Sequence, residues 1–211
     1  MRAIWRGLAV LLLCVGMNAG AAETAVEGTD YITLNPTQPT SNPGKVVVTE
    51  FFSYMCSHCY AFYPVVTPWS EKLGKDVVFE RVPVSLGRSS WQPIAQAFYA
   101  LQAMGLEGKY DKAIFNGIFT QNAKLYDEDN IVAFLGKLGV SADDFRAAYH
   151  SFSVESKVKQ AEQMMKTHKV SGTPTMVVDG KYVVQNEGTK DYADLLARTD
   201  RVIAKARASH K

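Results

Sequence analysis

The sequence predicts an α/β fold in which a small sheet is interrupted by a long helical insertion. Three observations carry that prediction. Two strand-like runs joined by a helical segment come first, then about 80 residues of helical periodicity, then a hairpin and a last helix. The strand-bearing pieces on either side of the helical block need each other to finish a sheet, so the block is an insertion into one unit.

The chain's 211 residues, 47% hydrophobic and 21% charged, suit one domain or one domain with an insertion, and can bury a sizeable core. Fifteen glycines and eight prolines are ordinary usage, which argues against a disordered or collagen-like chain. A net charge of +2 gives no case for a nucleic-acid partner, because such binders carry a clear basic excess.

The elements begin after a leader. Arg2 and Arg6 flank Trp5, residues 8–17 form a ten-residue apolar run, and Ala19, Ala21 and Ala22 precede the first acidic residue, Glu23. This is the layout of a secretory signal peptide over residues 1–22, cleaved after Ala21 or Ala22. The run is half of the roughly 20 residues that a spanning helix needs, so a membrane anchor is the poorer reading. Cys14 lies inside that run behind three leucines, without the small residues of a lipid-attachment site, and leaves with the leader. The loss of Arg2 and Arg6 balances the remaining basic residues against the 21 acidic ones. The mature chain, which has no later run of spanning length, is expected to be soluble and not inserted in a membrane.

Residues 23–44, polar and holding Pro36, Pro39, Pro43 and Gly44, read as a leading arm or loop. Residues 45–52 (KVVVTEFF) are mostly apolar on both faces, which predicts a central strand covered on both sides. A helix is expected from Cys56 towards Leu73, with a kink or break at Pro64 and Pro68. Residues 76–84 (DVVFERVPV) form the second strand. Ile94, Ala97, Phe98, Leu101 and Met104, and later Ile131, Phe134, Leu135 and Leu138, recur at three- and four-residue spacing. Gly105, Gly139 and Ser141 punctuate these helices. Asp179-Gly180 between residues 174–178 and 181–184 is a hairpin signal, and residues 191–208 form a final amphipathic helix. Trp69, Trp91, Met164 and Met165 read as packing, and Lys157, Lys159, Lys166 and Lys169 as a solvated face.

Two cysteines survive the leader, in Cys56-Ser57-His58-Cys59, where the buried strand hands over to a helix. As a staple, so short a loop is worth only ~2 kcal/mol, against ~4.7 for a loop of 100 residues. As a metal site it lacks a second ligand pair, since His58, His150, His168 and His210 fall into no recognisable spacing. Covalent haem needs His after the second cysteine, where Tyr60 stands. Redox exchange fits best. A cysteine at a helix start faces unpaired N–H groups and the positive end of the dipole, both of which favour thiolate. Cys56 then exchanges and Cys59 resolves the mixed disulfide. A stabilised thiolate also stabilises the reduced form, so the pair oxidises others.

Residues 50–60 (EFFSYMCSHCY) resemble the active-site segment of the DsbA family of periplasmic thiol oxidases. Residues 170–175 (VSGTPT) resemble its cis-proline loop, and the helical block resembles that family's insertion into a thioredoxin fold. The resemblance implies a thioredoxin-like fold with an inserted all-helical domain. Residues 23–86 and 170–211 would form the thioredoxin-like domain and residues 87–169 the insertion. It also implies an oxidase of newly exported, reduced and unfolded proteins, located in the periplasm and reoxidised by a quinone-linked membrane partner of the DsbB type. No cofactor beyond the Cys56–Cys59 disulfide and no metal are expected, and a monomer is.

By the same resemblance Cys56 is an exposed nucleophile, Cys59 a buried resolving thiol, and His58 a stabiliser of the thiolate. Pro174 is cis and lines the substrate side together with Thr173. Glu50 is a buried carboxylate that relays a proton to Cys59, with Arg81 as its basic partner. Two positions depart from the family's usual pattern: Ser57 stands where Pro is usual, and Thr173 where Val is common. Both are expected to tune the redox poise or partner choice. Rival readings are a disulfide isomerase or reductase on the same fold, favoured by Thr173, and a peptide-binding chaperone with incidental cysteines.

Overall fold

The computed structural model describes residues 24–210. The leader expected over residues 1–22, with Cys14, lies outside the described residues. Within them, one sheet is built from β1 (Tyr31–Thr33), β2 (Val46–Phe52), β3 (Val77–Pro83), β4 (Thr175–Val178) and β5 (Tyr182–Val184), in the order β1-β5-β4-β2-β3. All seven residues of β2 are buried, as a run apolar on both faces requires. β2 and β3 are parallel and in a register that sets Glu50 beside Arg81, while β4 is antiparallel and sets Met176 opposite Glu50.

Parallel neighbours need a crossover, and helix α1 (Ser57–Ser70) supplies it. Its buried residues are Cys59, Phe62 and Val66, a stripe at helical spacing. The break expected at Pro64 and Pro68 does not occur: α1 is one helical segment through both prolines. A helix-interior proline removes a hydrogen bond at a cost of about 3 kcal/mol. Pro68 lies in the last turn, where little helix remains to disrupt, and the stripe packed on the sheet holds the segment across Pro64.

The hairpin forms at Asp179-Gly180, whose φ angles of 55° and 57° are the left-handed values that such tight turns use. A Cβ on Gly180 would run into the backbone carbonyl of Gln38, so this glycine is required by space as well as by angle. The leading arm, read as loop, contains β1, which pairs antiparallel with β5. Three residues with a half-exposed Ile32 between its neighbours give no readable period. The strand is fixed from outside, by the final helix α7 (Tyr192–Ser209). Arg201 pairs with Asp30 at 2.6 Å, and Arg198 donates to the carbonyls of Thr29, Gln185 and Glu187.

Between β3 and β4 lie a 3₁₀ turn (Ser89–Trp91) and helices α2 (Gln92–Ala103), α3 (Asp111–Thr120), α4 (Glu128–Lys137), α5 (Ala142–Tyr149) and α6 (Phe152–Thr167). Asp127, Ser141 and Ser151 cap the last three, each accepting a hydrogen bond from a first-turn N–H. One core packs α1 and α7 on the sheet through Val46, Val48, Phe62, Val66, Leu195 and Val202. The other joins the sheet to the helical block. In it Phe52 meets Tyr54 and Phe98 at centroid distances of 5.1 and 5.4 Å, and Tyr54 meets Phe115 at 5.0 Å. The end of β2 is thus locked to α2 and α3 just before the cysteines. No helix of the described residues is long and apolar enough to cross a membrane.

Candidate active site

β2 ends at Phe52, and the chain turns so that Cys56 becomes the N-cap of α1, with extended φ and ψ of −95° and 118°. The helix therefore starts one residue later than the sequence reading had it, with the sulfur at the position that faces the free first-turn N–H groups. Cys59 falls on the buried stripe of α1 at 1% exposure. Both cysteines are free thiols.

Cys56 is less open than the exposed nucleophile that the resemblance implied, at 8% exposure. The loop before β4 covers it, and in the thiol form Sγ donates to the Thr173 carbonyl at 3.2 Å. The Thr173–Pro174 peptide bond is cis, and Pro174 is buried. The Thr173 hydroxyl is buried without a hydrogen-bond partner of good geometry. It is positioned to turn its donor towards the sulfur when Cys56 ionises.

The two sulfurs differ sharply in acidity. The Cys56 pKa is pulled down to about 5, first by the Cys59 thiol, which donates to Sγ. Burial opposes that pull, while the Thr173 hydroxyl and the N–H groups of Cys59 and His58 add to it. The Cys59 pKa is pushed far up, first by burial, then by the donated hydrogen bond and the nearby charge of Glu50. Ser57 and His58 are exposed. It is the backbone of His58 that favours the thiolate, while its imidazole Nδ1 meets the Tyr192 hydroxyl at 3.4 Å. Tyr192, whose ring packs on Phe62, is a neighbour of the site that the sequence did not signal, because it lies 134 positions from His58.

Glu50 is fully buried beneath this pair. Arg81 Nε donates to its Oε2 at 2.8 Å, and Arg81 Nη1 donates to Oδ2 of Asp111 at 2.6 Å. The Tyr54 hydroxyl donates to Oδ1 of the same aspartate. The guanidinium carbon sits 3.7 Å from the centroid of the Phe52 ring, a cation–π contact that covers its face. Burial raises the Glu50 pKa, and the charge of Arg81 only partly offsets this. Burial alone would lower that of Arg81, but Glu50 and Asp111 overcome it and raise it. Glu50 Oε1 and Arg81 Nη2 are buried with no hydrogen-bond partner. Asp111 and Tyr54 were not legible as site residues: Asp111 reads as an ordinary first-turn acid of α3, and Tyr54 as an aromatic beside the cysteines. Among the described residues no cluster of three or more His, Cys, Asp or Glu could hold a metal ion.

A family model for the DSBA-like thioredoxin domain matches residues 47–197. The chain is 40% identical to the thiol:disulfide interchange protein DsbA of Pseudomonas syringae pv. tomato over 197 residues, covering 90% of this chain and 92% of that protein. It is 41% identical to the protein of that name from Burkholderia cepacia over 180 residues, covering 83% and 84%. The crystal structure of Pseudomonas aeruginosa DsbA superposes with a TM-score of 0.82 at 37% identity, covering 86% of this chain and 94% of that one. The oxidoreductase NmDsbA1 of Neisseria meningitidis gives 0.76 at 26% identity, covering 87% and 95%.

Proposed function

This chain belongs to the DSBA-like thioredoxin domain family and is a thiol:disulfide oxidoreductase, and from that premise we propose that it oxidises newly exported proteins by donating a Cys56–Cys59 disulfide. A substrate thiolate attacks Sγ of Cys56. A mixed disulfide forms, and the electron pair of the broken bond leaves on Cys59, which takes up a proton. A second substrate thiolate then attacks the substrate sulfur of the mixed disulfide, closes the substrate's own disulfide and expels Cys56 as thiolate. The substrate loses two electrons and the cysteine pair gains them.

The observation that carries this direction is the acidity of Cys56. A thiol pulled down to about 5 is ionised at neutral pH, which makes it a good leaving group and stabilises the reduced pair. The high pKa of Cys59 supports its role as the proton-accepting resolving thiol. Thr173 and cis-Pro174 flank Cys56 on the side from which a peptide would approach. The reading needs no cofactor other than the disulfide and no metal. Reoxidation falls to a membrane oxidase of the DsbB type, linked to quinone. The leader pattern of residues 1–22 supports a periplasmic location, and the protein acts as a monomer.

The test is an equilibrium titration of the Cys56–Cys59 pair against glutathione, together with oxidation of a reduced, unfolded substrate. An oxidising potential, well above the roughly −270 mV of thioredoxin, is expected. A potential near that value moves the protein to the reductase class, and substrate binding that survives Cys56→Ala with no oxidation by the wild type would make it a chaperone.

A further inference from the structure

Arg81 is one cation between two buried carboxylates. Paired alone, an arginine and a glutamate can form two parallel hydrogen bonds, the strongest geometry open to them. Here the guanidinium is split. Nε goes to Glu50, Nη1 goes to Asp111, and the second nitrogen and second oxygen that a two-point Glu50–Arg81 pair would use are left unpartnered. Asp111 comes from α3 of the helical insertion, whereas Glu50 and Arg81 are neighbours on adjacent strands. The Tyr54 hydroxyl, two residues before Cys56, holds Asp111 in place from the other side.

We propose that Asp111 is a positioning residue of the exchange reaction: it draws Arg81 out of a two-point pairing with Glu50, and so keeps Oε1 of Glu50 open to carry a proton to and from Cys59. The inference rests on the oxidoreductase reading above and deepens it by naming what sets the proton carrier. In the oxidised protein Glu50 holds the proton. When the Cys56–Cys59 bond opens, the proton passes to the departing Cys59 sulfur and Glu50 is left as carboxylate. When Cys59 re-forms the disulfide, its thiol proton returns to Glu50.

The surroundings fit that cycle. The groups that act electrostatically on Glu50 or feel its charge are Arg81 from β3, Asp111 from α3, Cys56 and Cys59 at the start of α1, and Tyr63 further along it. Its cross-strand partner on β4, Met176, is apolar. Asp111 adds a like charge that raises the Glu50 pKa, in the same sense as burial does. A fully embraced Glu50 would be a fixed anion, and a fixed anion repels the thiolate that Cys59 must briefly become.

The experiment uses the mature protein and follows disulfide opening by a small thiol across the acid-to-neutral range, with the rate expressed per attacking thiolate. Asp111→Asn and Asp111→Thr both remove the charge and keep an acceptor for Tyr54, so one suffices if the other does not fold. The expected result is that the fall in rate with rising pH, seen as Glu50 loses its proton, moves about one unit towards acid. That shift corresponds to an opening about two- to fivefold slower between the two midpoints, approaching tenfold slower above the wild-type one. Asp111→Glu, which restores the charge, returns the midpoint towards the wild-type value. A folded neutral variant whose midpoint does not move overturns the inference, whatever it does to thermal stability. Glu50→Gln separates the cases. Loss of the pH step in that variant supports Glu50 as the carrier, whereas a retained step overturns the carrier and with it the role of Asp111. Absence of any exchange in the wild type instead removes the oxidoreductase reading itself.

Discussion

Acidifying the protein should cost the reduced form stability that the oxidised form keeps. The Cys56 thiol has a folded pKa of about 5, against 9.0 for an ordinary thiol. The folded value is the lower one, so between these two values the native reduced state binds fewer protons than the unfolded chain, and its stability rises with pH. The contribution is complete above about pH 9 and is lost as pH falls through about 5. At about pH 7 roughly two units of the gap are realised, an upper bound of ~2.7 kcal/mol at 1.36 kcal/mol per unit. Cys56 keeps 8% of its surface open beside the exposed Ser57 and His58, so solvent screens its thiolate in part, which reduces the expected effect to about 1–2 kcal/mol. Cys59 is shifted in the opposite direction and stays a thiol throughout this range. The oxidised form has no thiolate, so the difference between the two forms carries the Cys56 contribution together with the change in Glu50 that the thiolate induces. Urea unfolding of both forms at about pH 7 and about pH 4 measures it, with unchanged m-values as the check on two-state behaviour. A reduced-minus-oxidised difference that is the same at both pH values would refute the reasoning. So would thiolate absorbance that appears only near pH 9.

Two further outcomes follow from buried charge and backbone space. Arg81→Met strands the buried carboxylates of Glu50 and Asp111, and should destabilise the protein by about 3–5 kcal/mol. Because the Glu50 pKa is raised, that loss should shrink towards acid pH, and a loss that is constant from acid to neutral pH in chemical denaturation would count against it. Gly180→Ala should lower the unfolding midpoint by the equivalent of about 1–3 kcal/mol through left-handed strain and the collision with Gln38, while leaving the Cys56 titration unchanged. A neutral result would show that the arm can move aside.

Much of the fold was legible because its signals are local. A strand apolar on both faces, helices with three- and four-residue spacing, the start signal at Ser141 and an Asp-Gly turn each write their meaning within a few residues. Elements whose existence depends on a distant partner were not legible. β1 carries too few residues for a period and is pinned by arginines of α7 about 170 positions away. The continuity of α1 through Pro64 was hidden for the same reason, since the packing that holds it is tertiary.

The site divides along the same line. The sequence alone determined that a buried strand delivers two cysteines to the start of a helix, and a cysteine in that place meets unpaired N–H groups whatever surrounds it. Through the resemblance it also pointed to Thr173, Pro174, Glu50 and Arg81, which the fold places around the cysteine pair. Only the tertiary structure decided how open Cys56 is, because the loop that covers it comes from 117 positions away. Only the tertiary structure added Asp111, which meets Arg81 across 30 positions, and Tyr54, which meets Asp111 across 57. Helix-end chemistry is set by neighbours along the chain, whereas a buried charge takes its partners from whatever the fold brings beside it.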